Sequence, residues 1–413
     1  MRTEDQLSGA LRDAADRAPE LDLLAGVGER RRRRTRRRAQ LLAAAAVVGV
    51  VSTSTVVAQG VFSSGGGEEA AASPTTTTTV TKPHPTRTVT VRPTTQAKGI
   101  PADKLWPQAV FQMPAKNADG WRYRPITGLN ATEVLLTAEP SSGKAGKIEV
   151  YDAKAGKSRV VTEIPRTRGL EQYFLQTAST DGTNVVWFSS GSKGGNAVTE
   201  LWWAPLSGGK AKLAVTLTGG GAAVEAIGVD GENVVWSPRK GGVYRKPFGN
   251  GAPNRVPKSD GLRLISWPWA GDASTDDEEF ETPGYNQSKV VNLADGTETK
   301  VVIKDGMKDL RCGPVWCRGR QGTTSVVQRV DGTGVKKLPK GFRMYAILDR
   351  FLRSADTVYD LNTGKLARIA TPGGWSSDGT SSAPSTIVYG GTTKGANPDK
   401  YWVLNLAAVP PAQ

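Results

Sequence analysis

Few side chains in this chain could carry chemistry. The sequence holds one histidine, His84, and two cysteines, Cys312 and Cys317. His84 stands in a threonine- and proline-rich stretch with no second ligand near it, so Ser-His-Asp and Cys-His hydrolysis and histidine-ligated metals are excluded. The two cysteines in Cys312-Gly-Pro-Val-Trp-Cys317 flank a Gly-Pro turn between extended runs, a spacing that suits a disulfide across a hairpin; redox exchange would prefer C-x-x-C. Asp272–Gly284 carries six carboxylates, among them Asp276, Asp277 and Glu278. It lacks the glycine and terminal glutamate of an EF-hand loop, and reads as a charged surface loop or a contact for calcium or a basic partner. Trp267-Pro268-Trp269 and Trp202-Trp203 are the aromatics whose spacing turns at least one ring outward, so Trp202, Trp267 and Trp269 join the candidate ligand contacts. Trp187, Trp236, Trp316 and Trp402 sit at strand positions and read as core. No catalytic residues and no cofactor are expected, with calcium the alternative left open.

The elements that must position these residues begin with a junction. Eight arginines lie between Arg30 and Arg38, and Leu41–Phe62 contains no charged residue. Twenty-two helical residues span roughly 33 Å, enough for a hydrocarbon core of about 30 Å. The arginines place the N-terminus in the cytoplasm and the rest of the chain outside. The alternative is a cleaved export signal over Leu41–Val51, although Val56-Val57-Ala58 makes a poor cleavage site. Both readings put the bulk of the chain outside the cell. Residues 1–40 form a tail in which Thr3-Glu4-Asp5-Gln6 resembles a capping box opening one short amphipathic helix. That helix, residues 3–18, is either a docking element for a cytoplasmic partner or a nascent helix without one. Residues 63–104 form a disordered tether rich in Thr, Pro and Gly.

The net charge of +15 is spread thinly. Outside the junction no basic run occurs, which argues against a nucleic-acid surface and leaves a solvated basic face or weak attraction to anionic polymers.

Beyond residue 105 the chain repeats. DGTNVVW (Asp181–Trp187) and DGENVVW (Asp230–Trp236) each pair an Asp-Gly turn with a β-branched, aromatic-ended run, and Leu129–Glu139 and Asp378–Gly390 are looser relatives. A second element, an extended run into a glycine turn and a basic strand, recurs near Gly156, Gly208, Gly249, Gly296, Gly332 and Gly364. Units of this size with four short strands predict an all-β chain folded as a β-propeller, preceded by a transmembrane helix and a tether. After the sixth glycine turn two strands lack a fourth partner. Ala109–Met113, ahead of the first unit, completes that last blade if there are seven; six is the fallback.

The YDAKAG- and YDLNTG-like turns and the two DGxNVVW runs resemble WD-repeat-like and TolB-type β-propellers over residues 105–413. The whole arrangement resembles single-pass actinobacterial membrane proteins that carry such a domain. The regular Gly-His and Trp-Asp pairs of eukaryotic WD repeats are absent, so their peptide-binding rules do not transfer. The expected function is a non-catalytic, membrane-anchored binding module outside the cell, with a protein, a cell-wall polymer or a small ligand in the central channel as partner. The alternatives are a carbohydrate-active hydrolase or lyase, and a sensor that reports through the N-terminal tail.

Overall fold

The computed structural model describes residues 99–141, 144–273, 285–338, 345–369, 375–391 and 398–411. The tail, the uncharged segment 41–62 and the tether up to residue 98 lie outside the described residues. Among the described residues no helix is long and apolar enough to cross a membrane.

Seven four-stranded sheets follow one another along the chain. Blade 1 is Arg122–Gly128, Glu133–Glu139, Lys147–Asp152 and Lys157–Glu163. Blade 2 is Glu171–Thr180, Asn184–Lys193, Asn196–Pro205 and Lys212–Thr218, and blade 3 is Val224–Asp230, Asn233–Pro238, Tyr244–Pro247 and Asn254–Arg255. Blade 4 is Arg263–Ser266, Trp269–Gly271, Lys289–Asn292 and Thr297–Lys300, and blade 5 is Met307–Cys312, Trp316–Gln321, Thr324–Arg329 and Lys336–Leu338. Among the described residues blade 6 has three strands of its own, Phe351–Arg353, Thr357–Asp360 and Leu366–Arg368. Its outer edge is filled by Ile100–Pro101, which pairs in parallel with Ala367 and Arg368. Blade 7 is Trp375–Asp378, Ile387–Gly391 and Lys400–Asn405, with Val110–Pro114 antiparallel at its edge from Val110–Leu404 to Pro114–Lys400.

The fold is therefore a seven-bladed β-propeller, with the strand expected at Ala109–Met113 closing the last blade and the six-bladed alternative not realised. The structure adds a second closing strand. Gly364, expected to match the other five glycine turns, joins the second and third strands of blade 6. Ile100–Pro101, ahead of the first blade, supplies the outer strand beside Leu366–Arg368.

The core explains why the repeated runs read as unbroken hydrophobic stretches. Seven buried clusters occur among the described residues, one between each successive pair of blades and one between blades 7 and 1. Along a strand alternate side chains point to opposite faces. Val185 and Trp187 thus feed the cluster between blades 1 and 2, while Val186 and Phe188 feed the one between blades 2 and 3. A second strand covered on both faces has no polar side, and Val185, Val186 and Trp187 are all fully buried. Each such side chain contributes about 1.5–3 kcal/mol by leaving water. Trp236 and Trp316 are likewise buried, and Trp402 packs partly buried against the cluster between blades 6 and 7.

Candidate functional site: the plugged channel

Among the described residues the first strand of each blade is an edge of its sheet. An edge strand carries unpaired N–H and C=O groups that must find partners when buried. Here the chain supplies them itself. Gly379–Ser385, which joins the first two strands of blade 7, crosses the channel instead of turning tightly. The Thr380 amide donates to the Pro125 carbonyl (3.0 Å), the Ser382 amide to Ala178 (2.8 Å), and the Ile227 amide to Ser382 Oγ (2.8 Å). Thr177 Oγ1 donates to the Thr380 carbonyl at 2.7 Å, and Ser385 Oγ to the Ile126 carbonyl at 2.7 Å. One loop from blade 7 thus pins the inner strands of blades 1, 2 and 3. It runs so close to blade 1 that a Cβ on Gly379 would lie 2.1 Å from the Ile126 carbonyl oxygen, which explains the glycine.

Beside the plug lies a cavity of about 240 Å³, lined among the described residues by Glu225, Ile265, Tyr345, Arg353 and Asp378, with plug residues Ser381 to Ser385. Several inner strands carry a register shift at mid-strand, between Val224 and Ala226 in blade 3 and between Leu264 and Ser266 in blade 4. A bulge re-aims the extra side chain, and the skipped residues are Glu225 and Ile265, both on the cavity wall. Charges in the cavity come in pairs. Arg263 Nε lies 3.4 Å from Glu225 Oε2, and Arg353 Nε lies 2.9 Å from Asp378 Oδ1. Arg353 also donates to Ser376 Oγ (3.0 Å). Tyr345 Oη is buried and has no hydrogen-bond partner among the described residues. Burial, more than the surrounding charges of Arg311, Glu225, Arg263 and Asp272, pushes its hydroxyl pKa well up, so it stays a neutral donor.

A second cavity of about 170 Å³, between blades 1 and 2, is bordered by Arg166, Thr167, Tyr173, Phe174 and Ser189. Behind it Tyr173 Oη donates to the buried Glu200 (2.6 Å) and accepts from Trp202 Nε1 (2.9 Å), and Thr167 donates to the same carboxylate (2.6 Å). Blade 1 repeats the arrangement with Tyr123 donating to the buried Glu149 (2.9 Å). A buried carboxylate is tolerated when hydroxyl and amide donors replace water, and Asn117 Nδ2 supplies the amide to Glu149 at 3.0 Å. The signal was in the sequence: a tyrosine followed 26 or 27 residues later by a glutamate in adjacent units.

The residues singled out from sequence fall in separate places. Trp202 packs on the cluster between blades 1 and 2, Trp267 on that between blades 3 and 4, and Trp269 on that between blades 4 and 5. Asp276, Asp277 and Glu278 lie outside the described residues. Cys312 and Cys317 are opposite one another across the blade 5 hairpin, both fully buried, with Cα atoms 3.9 Å apart and sulfurs 2.06 Å apart, a disulfide-compatible pair. The cavity residues Glu225, Tyr345, Arg353 and Asp378 come from three blades and a connecting segment, and no spacing in the sequence links them.

No protein-family model and no curated protein matches the chain. Solved structures similar to it include YCF48 bound to a D1 peptide, at 9% identity and TM-score 0.43, covering 72% of this chain and 96% of that one. The β-propeller domain of the Trilobed protease from Pyrococcus furiosus is similar at 14% identity and TM-score 0.40, covering 68% and 91%. Oligogalacturonate lyase from Vibrio parahaemolyticus is similar at 10% identity and TM-score 0.29, covering 72% and 91%. Likeness at this level concerns the fold alone. The assignment as a seven-bladed β-propeller rests on the seven sheets and the seven clusters that join them.

Proposed function

We propose that this protein is a non-catalytic binding module, held at the cell membrane by residues 41–62, with its propeller outside the cell. The observation that carries the binding reading is the plugged channel: beside the plug lies a small, partly open cavity whose largely apolar wall carries a few charged and hydroxyl groups. Its carboxylates are each engaged by an arginine, so it offers matched donors and acceptors for a polar group. A cavity of about 240 Å³ is smaller than the usual range for drug-sized ligands, roughly 300–1,000 Å³. It suits a monosaccharide-sized molecule or one side chain projecting from a protein or cell-wall polymer. The location is supported by the arginine cluster beside an uncharged 22-residue run and by the disulfide-compatible cysteines, which an oxidising compartment would join.

Two measurements test the two halves. In intact cells, externally added protease should digest the propeller, and alkylation after denaturation without reductant should find neither cysteine free; a protected propeller with two free thiols would sink the location. For the cavity, monosaccharides, amino acids and dipeptides are titrated against the full chain and read by thermal shift. Saturable stabilisation by one class, abolished in Ala383→Phe, is expected. No saturable response from any of them, or one that Ala383→Phe leaves intact, overturns the cavity reading.

A further inference from the structure

The hairpin that carries the cysteines carries a second cross-strand pair on its other face. In the ladder between Met307–Cys312 and Trp316–Gln321, Cys312 stands opposite Cys317 and Arg311 stands opposite Arg318. Directly opposed residues leave the same face, so two like charges stand on neighbouring strands, an arrangement that repels. The neighbour of Arg318 on the next strand is Val327, which belongs to the cluster between blades 5 and 6. The arginine pair therefore stands on the face of blade 5 directed toward blade 6.

Neither residue is an ordinary surface arginine. Arg311 is buried, donates from Nη1 to the carbonyls of Tyr285 (2.9 Å) and Leu310 (3.0 Å), and lies over the Tyr285 ring at 5.6 Å. Arg318 is partly exposed, its Nε is buried without a hydrogen bond, and no acid forms an ion pair with it among the described residues. The carboxylate within its electrostatic reach, Asp309, is bonded to Arg320. Burial, and then the Arg311 charge, hold the Arg318 pKa below the usual guanidinium value, with Asp309 opposing. Asp309 thus acts on Arg318 at a distance while bonded to Arg320. Asp309 itself takes a left-handed backbone (φ 56°) within the register shift between Lys308 and Arg311.

We infer that Arg318, with Arg311 across the strand pair, forms a phosphate-binding site on blade 5. A guanidinium presents a planar fork that matches two oxygens of one phosphate, and it is the residue type suited to such pairing in partly desolvated surroundings. Arg318 supplies the fork and Arg311 the second charge. The tetrahedral ion relieves the repulsion between them and leaves the contacts of Arg311 to backbone carbonyls in place. The group is either free phosphate or a phosphodiester carried on a polymer, and neither arginine lines the plugged cavity, although the Arg311 charge reaches its Tyr345.

The test uses the full chain in detergent, at constant ionic strength set with chloride. Inorganic phosphate and a soluble glycerol-phosphate oligomer are titrated in separate arms and read by calorimetry. Saturable binding of either is expected, weakened at least tenfold in Arg318→Gln and less in Arg318→Lys, which keeps charge without the fork. Arg245→Gln, on blade 3, should bind like the parent. Phosphate alone points to the free ion, and the oligomer, alone or with phosphate, to a polymer-borne group. If Arg318→Gln does not fold, Arg318→Lys decides, since loss of the fork must still lower affinity. Absence of saturable binding in both arms, or equal binding by parent and Arg318 variants, overturns the site.

Discussion

Blades 5 and 6 are neighbours built by opposite means. Blade 5 is contiguous from Met307 to Leu338, its strands joined by short turns and its first hairpin closed by Cys312 and Cys317. Blade 6 has strands of three, four and three residues and borrows its outer edge from Ile100–Pro101. Where blade 5 has a cysteine pair, blade 6 has an ion pair between the partly buried Arg350 and the buried Asp360. Arg350 donates to Asp360 from Nε (3.1 Å) and Nη2 (2.8 Å), and from Nη1 to the Pro410 carbonyl (2.6 Å). One blade is secured by local contacts; the other is finished only when both ends of the domain meet. Closing contacts of such long sequence separation costs chain entropy that local contacts avoid. Blade 6 and its neighbour blade 7 should therefore be the region that opens first.

The strongest way to break this comparison is to remove what the borrowed strands provide. Deleting Ile100–Pro114 from the full chain takes away the edges of both blades and the buried Trp106 and Met113. The expected loss is on the order of 5 kcal/mol, from two large apolar side chains and the strand ladder. Hydrogen exchange should show blades 6 and 7 unprotected while blade 5 keeps its protection. Equal loss in all blades would mean the ring is one cooperative unit and the comparison fails.

A smaller effect tests the local security of blade 5. A disulfide closing so short a loop stabilises by about 2 kcal/mol in the chain-entropy estimate. Urea unfolding at equilibrium with reductant should show a lower midpoint than without it. An unchanged midpoint would remove the staple from the account of blade 5.

The smallest effect is confined to acid. Burial alone would raise the pKa of Asp360, but bonds from Arg350, Thr363 and the Asn362 amide outweigh it and hold the carboxyl below its ordinary value. A carboxyl lowered on folding contributes stability that is complete above its unfolded pKa, about 3.9, and is lost as the pH falls through the lower folded value. Amide exchange in blade 6 should accelerate relative to blade 5 below roughly pH 4, after correction for the intrinsic rate. Parallel changes in the two blades would show that the ion pair gives blade 6 no special acid sensitivity.

How much was legible beforehand follows from which contacts are local. DGTNVVW and DGENVVW could be read because a strand buried on both faces must be apolar at every position. Counting strands that lack a partner points to Ala109–Met113, one residue off the observed Val110–Pro114. Ile100–Pro101 is not found this way, since two residues in a parallel bridge leave no pattern. Asp378–Gly390 carries the expected strand, at Ile387–Gly391, but not the tight turn before it: eight residues separate Asp378 from Ile387 and bond to the inner strands of blades 1, 2 and 3. Arg311 facing Arg318 is an intermediate case. Once Cys312 is placed opposite Cys317, antiparallel register sets the next pair, and the sequence holds that information without announcing it.

Composition and spacing alone determined that the chain is all-β beyond residue 105, that it repeats as propeller blades, that its cysteines lie within one hairpin, and that histidine chemistry has no place in the folded part. These depend on side-chain alternation and turn geometry, which act over a few residues. The tertiary structure decided which strand finishes which blade, what fills the channel, and which charges from distant blades share one cavity. Those depend on ring closure, which brings Glu225, Tyr345, Arg353 and Asp378 together although nothing in their separation along the chain requires it.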